Sequence, residues 1–339
     1  MVTIKQIADM CGVSRGTVDR VLNQRGNVKP EKSRLIMEMA KKLNYKPNPA
    51  GKALVSRRNR PVVGILLPAK GISFFDEVIM AMRLSEKKYG LFGLKSEWRI
   101  MDGYDVGKLC AIMDELKPSV NALILNPIND ERVRRKIDQF IDDGIFVVAV
   151  NNDIEGVKAH QYVGSDYFNG GQTAAALLKM FCPAGAKIGI TIGSRSVLGH
   201  KQREQGFRAL LKGDDRFSVL MTEEDRDDDI YAFERTTAML KAHPEISAMF
   251  LAASGGAYGV CRAIISQKRD QDITVIAFDT IPAIVEMMQK GVVNAAIYQH
   301  PRQQGEKAMQ IVFDYLVNGI KPDHDLHIMK NDIRILQNV

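Results

Sequence analysis

The stretch TIKQIADMCGVSRGTVDRVLN, Thr3 to Asn23, reads as a short helix, a glycine turn and a second helix. Ile4, Ile7, Ala8 and Cys11 recur at helical spacing and make one side of the first helix apolar. Gly12 breaks that run, as a tight turn wants. Ser14 reads as the N-cap of the second helix, whose buried stripe is Val18, Val21 and Leu22. Arg15, Gly16, Thr17, Asp19 and Arg20 are left on the start and outer side of that helix. When a helix-turn-helix meets DNA, those early positions enter the major groove. A plain helical hairpin has the same apolar pattern, so the rest of the chain must decide between the two.

Charge decides in favour of a DNA partner. The chain has 339 residues, 45% of them hydrophobic, and a formal net charge of +7. Residues 1–60 hold 14 Lys and Arg against 4 Asp and Glu, while the remainder holds 33 against 36. The basic excess therefore belongs to the amino-terminal segment, the footprint of a phosphate-binding module. The length suits two or three compact units. Cys11, Cys110, Cys182 and Cys261 are far apart and read as small buried hydrophobes in a reducing compartment. Neither an apolar run of signal-peptide length nor one of membrane-span length is present, so the expectation is a soluble, cytoplasmic protein with no membrane partner.

Val28 to Leu43 predicts a third amphipathic helix, with Pro30 near its start and Leu35, Ile36, Met39, Ala40 and Leu43 facing inward. Pro47 and Pro49 stop it. A short segment, Gly51 to Arg60, follows with one apolar centre at Ala53 to Val55 and a basic tail. GVSRGTVDRVLN, together with Lys42-Leu-Asn-Tyr-Lys-Pro-Asn48, resembles the headpiece of the lactose-repressor (LacI) family of bacterial transcription regulators. The resemblance implies that Arg15 and Gly16 read bases, and that Thr17, Arg20 and Asn23 hold phosphates or bases. It implies that Thr3 caps the first helix and reaches a phosphate. It also brings Ser14, Asn48 and Lys52 into the DNA contact set, and matches Leu54 to a leucine that wedges into the minor groove from a hinge helix. Arg reads guanine through two parallel hydrogen bonds, worth about 1–3 kcal/mol of discrimination. A wedge spends unstacking energy to bend the duplex toward more protein surface. Two positions depart from the family: Asp19 stands where serine is usual, and Gly51-Lys52 where Ala-Arg is usual. Glycine lowers helix propensity by about 1 kcal/mol, so a hinge helix here depends on its context.

Beyond Val62 the chain alternates short apolar runs with amphipathic segments. VVGILL (62–67), ALILN (122–126), FVVAV (146–150), KIGITI (187–192), SAMFL (247–251), TVIAF (274–278) and NAAIY (294–298) predict buried strands. Strand-helix alternation predicts an α/β architecture, parallel sheets covered by helices on both faces, and so many units suit two lobes. The expected organisation is an all-α helix-turn-helix headpiece at 1–46, a hinge at 47–60 and a two-lobed domain at 61–339. Lobe 1 is placed at about 61–160 and 292–322, and lobe 2 at about 161–291 and 323–339. The turn-rich stretches Asn151 to Gly156, Thr280 to Pro282 and Gly319 to Asp325 are expected to link them.

Ligands in such sheets bind at the carboxyl ends of the strands. Phe74, Phe75, Asn129, Asn151, Asp166, Arg203, Ser254, Asp279 and Gln299 all fall near those ends. Aromatic faces with amides and carboxylates suit a polyhydroxylated ligand. RxxGF from Arg203, VIAFD and IYQHPRQQG resemble the periplasmic sugar-binding-protein-like type I core that serves LacI-type regulators as effector domain. That resemblance implies that Phe74 or Phe75 stacks on a sugar, that Arg203 and Asp279 hold hydroxyls, and that Gln299 lies on a crossover. After SAMFL the family often carries Asn-Asp, where this chain has Ala252-Ala253-Ser254-Gly255-Gly256. Ser254 and that Gly-rich turn suit either an anionic group held on backbone N–H groups or a simple helix-capping turn.

Sequence motifs give no support for an enzyme: GxGxxG, GxxxxGK[ST] and HExxH are missing, and the one GxSxG match, Gly12 to Gly16, falls in the turn between the two amino-terminal helices and not after a strand. His324 and His327 have no third ligand nearby, so neither a metal nor a cofactor is expected. The acidic run EEDRDDD (223–229) reads as a solvated helix start. An exported sugar-binding protein would share the large domain, yet has no use for a basic headpiece. The reading is therefore a transcriptional regulator, a homodimer on a near-palindromic double-stranded operator, controlled by a small sugar or sugar derivative.

Overall fold

The computed structural model describes residues 2–22, 28–43, 45, 60–157, 160–323 and 325–339. Three helices open the chain: α1 (Ile4–Cys11), α2 (Arg15–Leu22) and α3 (Pro30–Lys42). Thr3 caps α1 in a reciprocal box with Gln6, whose backbone N–H donates to Thr3 Oγ1 at 3.3 Å. Gly12 ends it in the left-handed region. Ser14 Oγ accepts the Thr17 N–H at 3.1 Å and so caps α2. Ile7, Ala8, Val18, Val21, Ile36 and Ala40 close a small core among the three helices. Leu35, expected inward, is 45% exposed: it stands one residue off the Ile36–Ala40 stripe, on the outer flank of α3. The hinge at 47–59 lies outside the described residues.

Two six-stranded sheets make up the rest of the described chain. In order, the elements of the first are β1 (Val62–Pro68), α4 (Phe74–Gly90), β2 (Lys95–Met101), α5 (Val106–Leu116), β3 (Ala122–Leu125), α6 (Glu131–Asp142), β4 (Phe146–Asn151) and β5 (Gln161–Ser165). The second is built from α7 (Tyr167–Phe181), β6 (Ala186–Ile192), α8 (Leu198–Leu211), β7 (Phe217–Glu224), α9 (Asp229–Ala242), β8 (Ala248–Leu251), α10 (Ala257–Ser266), β9 (Thr274–Phe278), α11 (Pro282–Gln289) and β10 (Ala295–Tyr298). The chain then returns to the first lobe through α12 (Pro301–Phe313), which runs on into a π turn, Asp314–Asn318, and β11 (Leu326–Met329). It ends on the second with β12 (Asp332–Arg334).

Strand order is β11-β5-β4-β3-β1-β2 in lobe 1 and β12-β10-β9-β8-β6-β7 in lobe 2. All pairings are parallel except β10 with β12. The inner strands β1, β3, β4, β6, β8, β9 and β10 read as largely apolar runs because both faces are covered. Val63, Ile65 and Leu67 pack with Val78, Met82, Met309 and Val312, while Leu66 points the other way to Met113, Ile137 and Phe140. In each lobe the order reverses beside the first strand, between β1 and β3 and between β6 and β8. Those reversals leave the crevices where an α/β sheet receives its ligand.

All seven strands expected from their apolar runs are present, within a residue or so at the ends. The links between lobes lie elsewhere than expected. β5 pairs with β4, and β10 with β9, so lobe 1 runs through Ser165 and lobe 2 through Tyr298. β11, expected in lobe 2, pairs with β5 of lobe 1. The crossings are Asp166, Gln299–His300 and Lys330–Asn331, each a residue or two long, rather than the turn-rich stretches. Gly and Pro mark where a chain turns, but sheet membership is set by long-range pairing that local turn chemistry does not encode. The acidic run also divides. Glu223 and Glu224 end β7, Asp228 caps α9, and Asp225 is buried at 1% exposure rather than solvated.

Candidate functional site

A narrow cleft lies between the lobes, at the carboxyl ends of the strands. Lobe 1 supplies Ile72, Phe74 and Phe75 after β1, Tyr104 after β2, and Asn151 and Asn152 at the end of β4. Lobe 2 supplies His200 and Arg203 from α8, Asp227 after β7, Ser254 after β8 and Asp279 after β9, while Gln299 comes from the crossing beyond β10. Phe74 and Phe75 meet edge to face, ring centroids 5.2 Å apart, and form the apolar wall. Two strand ends turn sharply into the cleft: Asn151 and Asp279 both have φ of 65°, a left-handed conformation that Asn and Asp tolerate best among residues with a side chain.

The polar wall is cross-braced. Gln299 Nε2 donates to both carboxylate oxygens of Asp279, 3.0 Å to each, and Gln304 Nε2 donates to the Gln299 carbonyl at 2.8 Å. Burial pushes the Asp279 carboxyl up to about 6, against the opposing pull of Arg203, Gln299 and Ser254. Arg203, 4% exposed, donates Nη1 to the Ala252 carbonyl at 2.7 Å and lies over the Phe278 ring, 3.8 Å from its centroid. Three buried polar atoms of this wall have no protein partner: Arg203 Nε and Gln299 Oε1 on residues that line the cleft, and Gln304 Oε1 behind them. A buried donor and a buried acceptor left open are costly unless a ligand or water completes them.

The lobes also touch each other directly. Tyr104 donates its hydroxyl to Asp227 Oδ2 at 2.6 Å, and the Gly199 N–H donates to Asn152 Oδ1 at 3.2 Å. The Asn129 N–H reaches the Ser196 carbonyl at 3.1 Å. Burial holds His200 down to about 4, so its ring is neutral near pH 7. Burial and the neighbouring Asp227 push the Asp225 carboxyl well above its ordinary range.

Of the nine ligand residues expected from sequence, the cleft gathers Phe74, Phe75, Asn151, Arg203, Ser254, Asp279 and Gln299. The other two stand outside it. Asn129 is turned toward Glu155, to which its Nδ2 donates at 3.1 Å. Asp166 caps α7, its Oδ1 accepting from the Asn169 N–H at 2.8 Å. Both follow strand ends, but a polar residue there serves a helix cap or a lobe contact as readily as a ligand. In the first turn of α10 the Gly259 N–H is bonded to Asp229 Oδ1 at 3.0 Å, and Gly256 stands at the N-cap with no side-chain cap. Sequence reasoning missed Ile72, Tyr104, Asn152, His200 and Asp227. The asparagine pair at 151–152 was a visible signal, whereas Tyr104 and Asp227 follow edge strands that carry no continuous apolar run. Among the described residues no group of His, Cys, Asp and Glu could hold a metal ion, and no helix is long and apolar enough to cross a membrane.

In the headpiece, Thr3, Ser14, Arg15, Gly16 and Arg20 are exposed and Thr17 is half-buried, all on α2 or at the start of a helix. Asn23, Asn48, Lys52 and Leu54 lie outside the described residues.

Comparison with known proteins covers both parts of the chain. Residues 63–320 match the periplasmic binding protein domain, and residues 3–48 match the bacterial regulatory proteins of the lacI family. The ribose operon repressor of Lactococcus lactis is 28% identical over 329 residues, 92% of this chain and 90% of that protein. The ribose operon repressor of Halalkalibacterium halodurans is 24% identical over 295 residues, 83% and 81% of the two chains. Among solved structures, the glucose-galactose binding protein GanP of Geobacillus stearothermophilus superposes with a TM-score of 0.76 at 21% identity, over 82% of this chain and 99% of that one. That likeness concerns the two-lobed fold.

Proposed function

Because the chain belongs to the periplasmic binding protein domain family and carries a lacI-family regulatory domain ahead of it, we propose that it is a sugar-responsive, DNA-binding transcriptional regulator. One observation carries this reading: an exposed recognition face on α2 and a cleft lined with hydroxyl-binding groups occur in one chain. The repressors it resembles over most of their length support it. No residue of the cleft is called on for bond making, and the relatives are regulators and sugar-binding proteins, which supports a binding protein rather than an enzyme.

Arg15 and Gly16 enter the major groove, flanked by Thr3, Ser14, Thr17, Arg20 and Asn23 on phosphates or bases, with Asn48, Lys52 and Leu54 acting from the hinge. Two such helices on successive major grooves need two chains, so the operator is near-palindromic and the protein acts on it as a cytoplasmic homodimer. The effector closes the two lobes. To move the regulator from 1:99 to 99:1 it must favour one lobe arrangement by about 5.5 kcal/mol.

Selection of binding sites from random duplex DNA by the full-length protein tests the DNA half. An enriched inverted repeat is expected, and recovery of sequences no different from the input pool contradicts it.

A further inference from the structure

Asp227 holds an unusual place in the cleft. It and Arg226 are consecutive residues with left-handed backbone, φ of 53° and 60°, where residues with a side chain are strained. Its side chain fits between two glycines: a Cβ on Gly193 would stand 2.5 Å from Asp227 Oδ1, and one on Gly255 2.3 Å from Asp227 Cβ. Its Oδ2 accepts the Tyr104 hydroxyl from the opposite lobe at 2.6 Å. Backbone strain, two close approaches and a bond across the cleft all converge on presenting one carboxylate to the ligand space.

We propose that Asp227 is a specificity-determining residue that confines the effector to neutral monosaccharides and rejects their phosphorylated or acidic counterparts, a proposal that rests on the sugar-effector reading above. Arg203 is the one Lys or Arg lining the cleft among the described residues; its Nη1 is bonded to the Ala252 carbonyl and its plane lies over the Phe278 ring, while Nε is open. Asp279 and Asp227 face it with two carboxylates. The unsatisfied atoms agree with this assignment. Arg203 Nε needs an acceptor and Gln299 Oε1 needs a donor, and sugar hydroxyls supply both, being donor and acceptor at once. A phosphate or carboxylate offers acceptors alone. The remaining hydroxyls of a sugar carrying one still serve Gln299 Oε1, so the discrimination comes from charge: the anion is set against two carboxylates in a water-poor cleft, where repulsion is screened least. Tyr104 couples this choice to closure, since the carboxylate is pinned only when the lobes meet. An anionic sugar therefore opposes the closed form.

The test is calorimetric titration of the full-length protein with aldopentoses and aldohexoses, each paired with its terminal phosphate and its sugar acid. At least one neutral sugar should bind, with its anionic counterparts at least tenfold weaker. Asp227→Asn should narrow that ratio several-fold, and Tyr104→Phe, which frees the carboxylate without removing it, should weaken the neutral sugar while keeping the ratio. An anionic sugar that binds as tightly as its neutral parent, or a ratio unmoved in a folded Asp227→Asn protein, overturns the role of Asp227. Binding by no member of either set overturns the sugar reading itself. Should the asparagine variant not fold, the same ratio measured on Asp227→Ser decides: narrowing supports the role of Asp227 and an unmoved ratio overturns it.

Discussion

Gln299 donates one side-chain nitrogen to both oxygens of Asp279, 3.0 Å to each. Asp279 ends a strand of lobe 2, while Gln299 sits on the strand-to-helix crossing that returns the chain to lobe 1. The brace thus ties a ligand-facing carboxylate to a segment that must bend when the lobes rotate. Hinges of this kind are a few residues at element ends that absorb the backbone change. Asp279→Ala should remove effector response and weaken sugar binding by one to two orders of magnitude, the worth of about 1.5–3 kcal/mol for a hydrogen bond to a charged group. Thermal shift with the cognate sugar reads this directly: a stabilisation equal to wild type contradicts it.

Acidity should weaken the effector. Burial raises Asp279 to about 6, so the ionised form that accepts from sugar hydroxyls is lost as pH falls through that value. Binding favours the ionised form, and affinity should therefore hold above pH 7 and decline below about 6. For folding the sign is opposite. A carboxyl raised from 3.8 to about 6 contributes stability that is fully present below 3.8 and lost as pH rises through 6. Titrations from pH 5 to 8 check the first, and affinity rising as pH falls counts against it.

Arg15 is exposed at the first turn of the recognition helix. Arg15→Ala should cost about 1–3 kcal/mol at its own base pair and relax operator choice there. Sugar binding, which belongs to the two lobes, should not move. Competition between operator variants measures it, and an undiminished preference at every position of the site rejects the contact.

Helices α7 and α8 approach closely at Gly171, where a Cβ would stand 2.0 Å from the Arg203 carbonyl. Gly171→Ala must push α8, and Arg203 with it, out of position. Overpacking of this kind costs about 1–3 kcal/mol, and sugar affinity should fall alongside Tm although residue 171 touches no ligand. An alanine variant with unchanged Tm would show that the helices give way freely.

Much of this was legible in sequence because the informative signals were local. Ser14, Gly12 and the Ile7–Val18 stripes state a helix-turn-helix within twenty residues, and runs such as Val62–Leu67 can only be strands buried on both faces. Asp279 and Gln299 were placed because they directly follow such runs. Lobe membership was not legible: β5 and β10 owe their place to partners far away in the chain. Tyr104 and Asp227 stayed hidden for a related reason. They follow the edge strands β2 and β7, whose half-buried residues show no strong pattern, and they become a pair only when two lobes close.

The central claim is that sugar in the cleft governs grip on the operator. Fluorescence anisotropy of a labelled operator duplex, titrated with full-length protein at one fixed ionic strength, measures it with and without a saturating neutral sugar. The account predicts operator affinity that changes at least tenfold on adding the sugar. Identical binding curves, with calorimetry showing the cleft occupied, would contradict it.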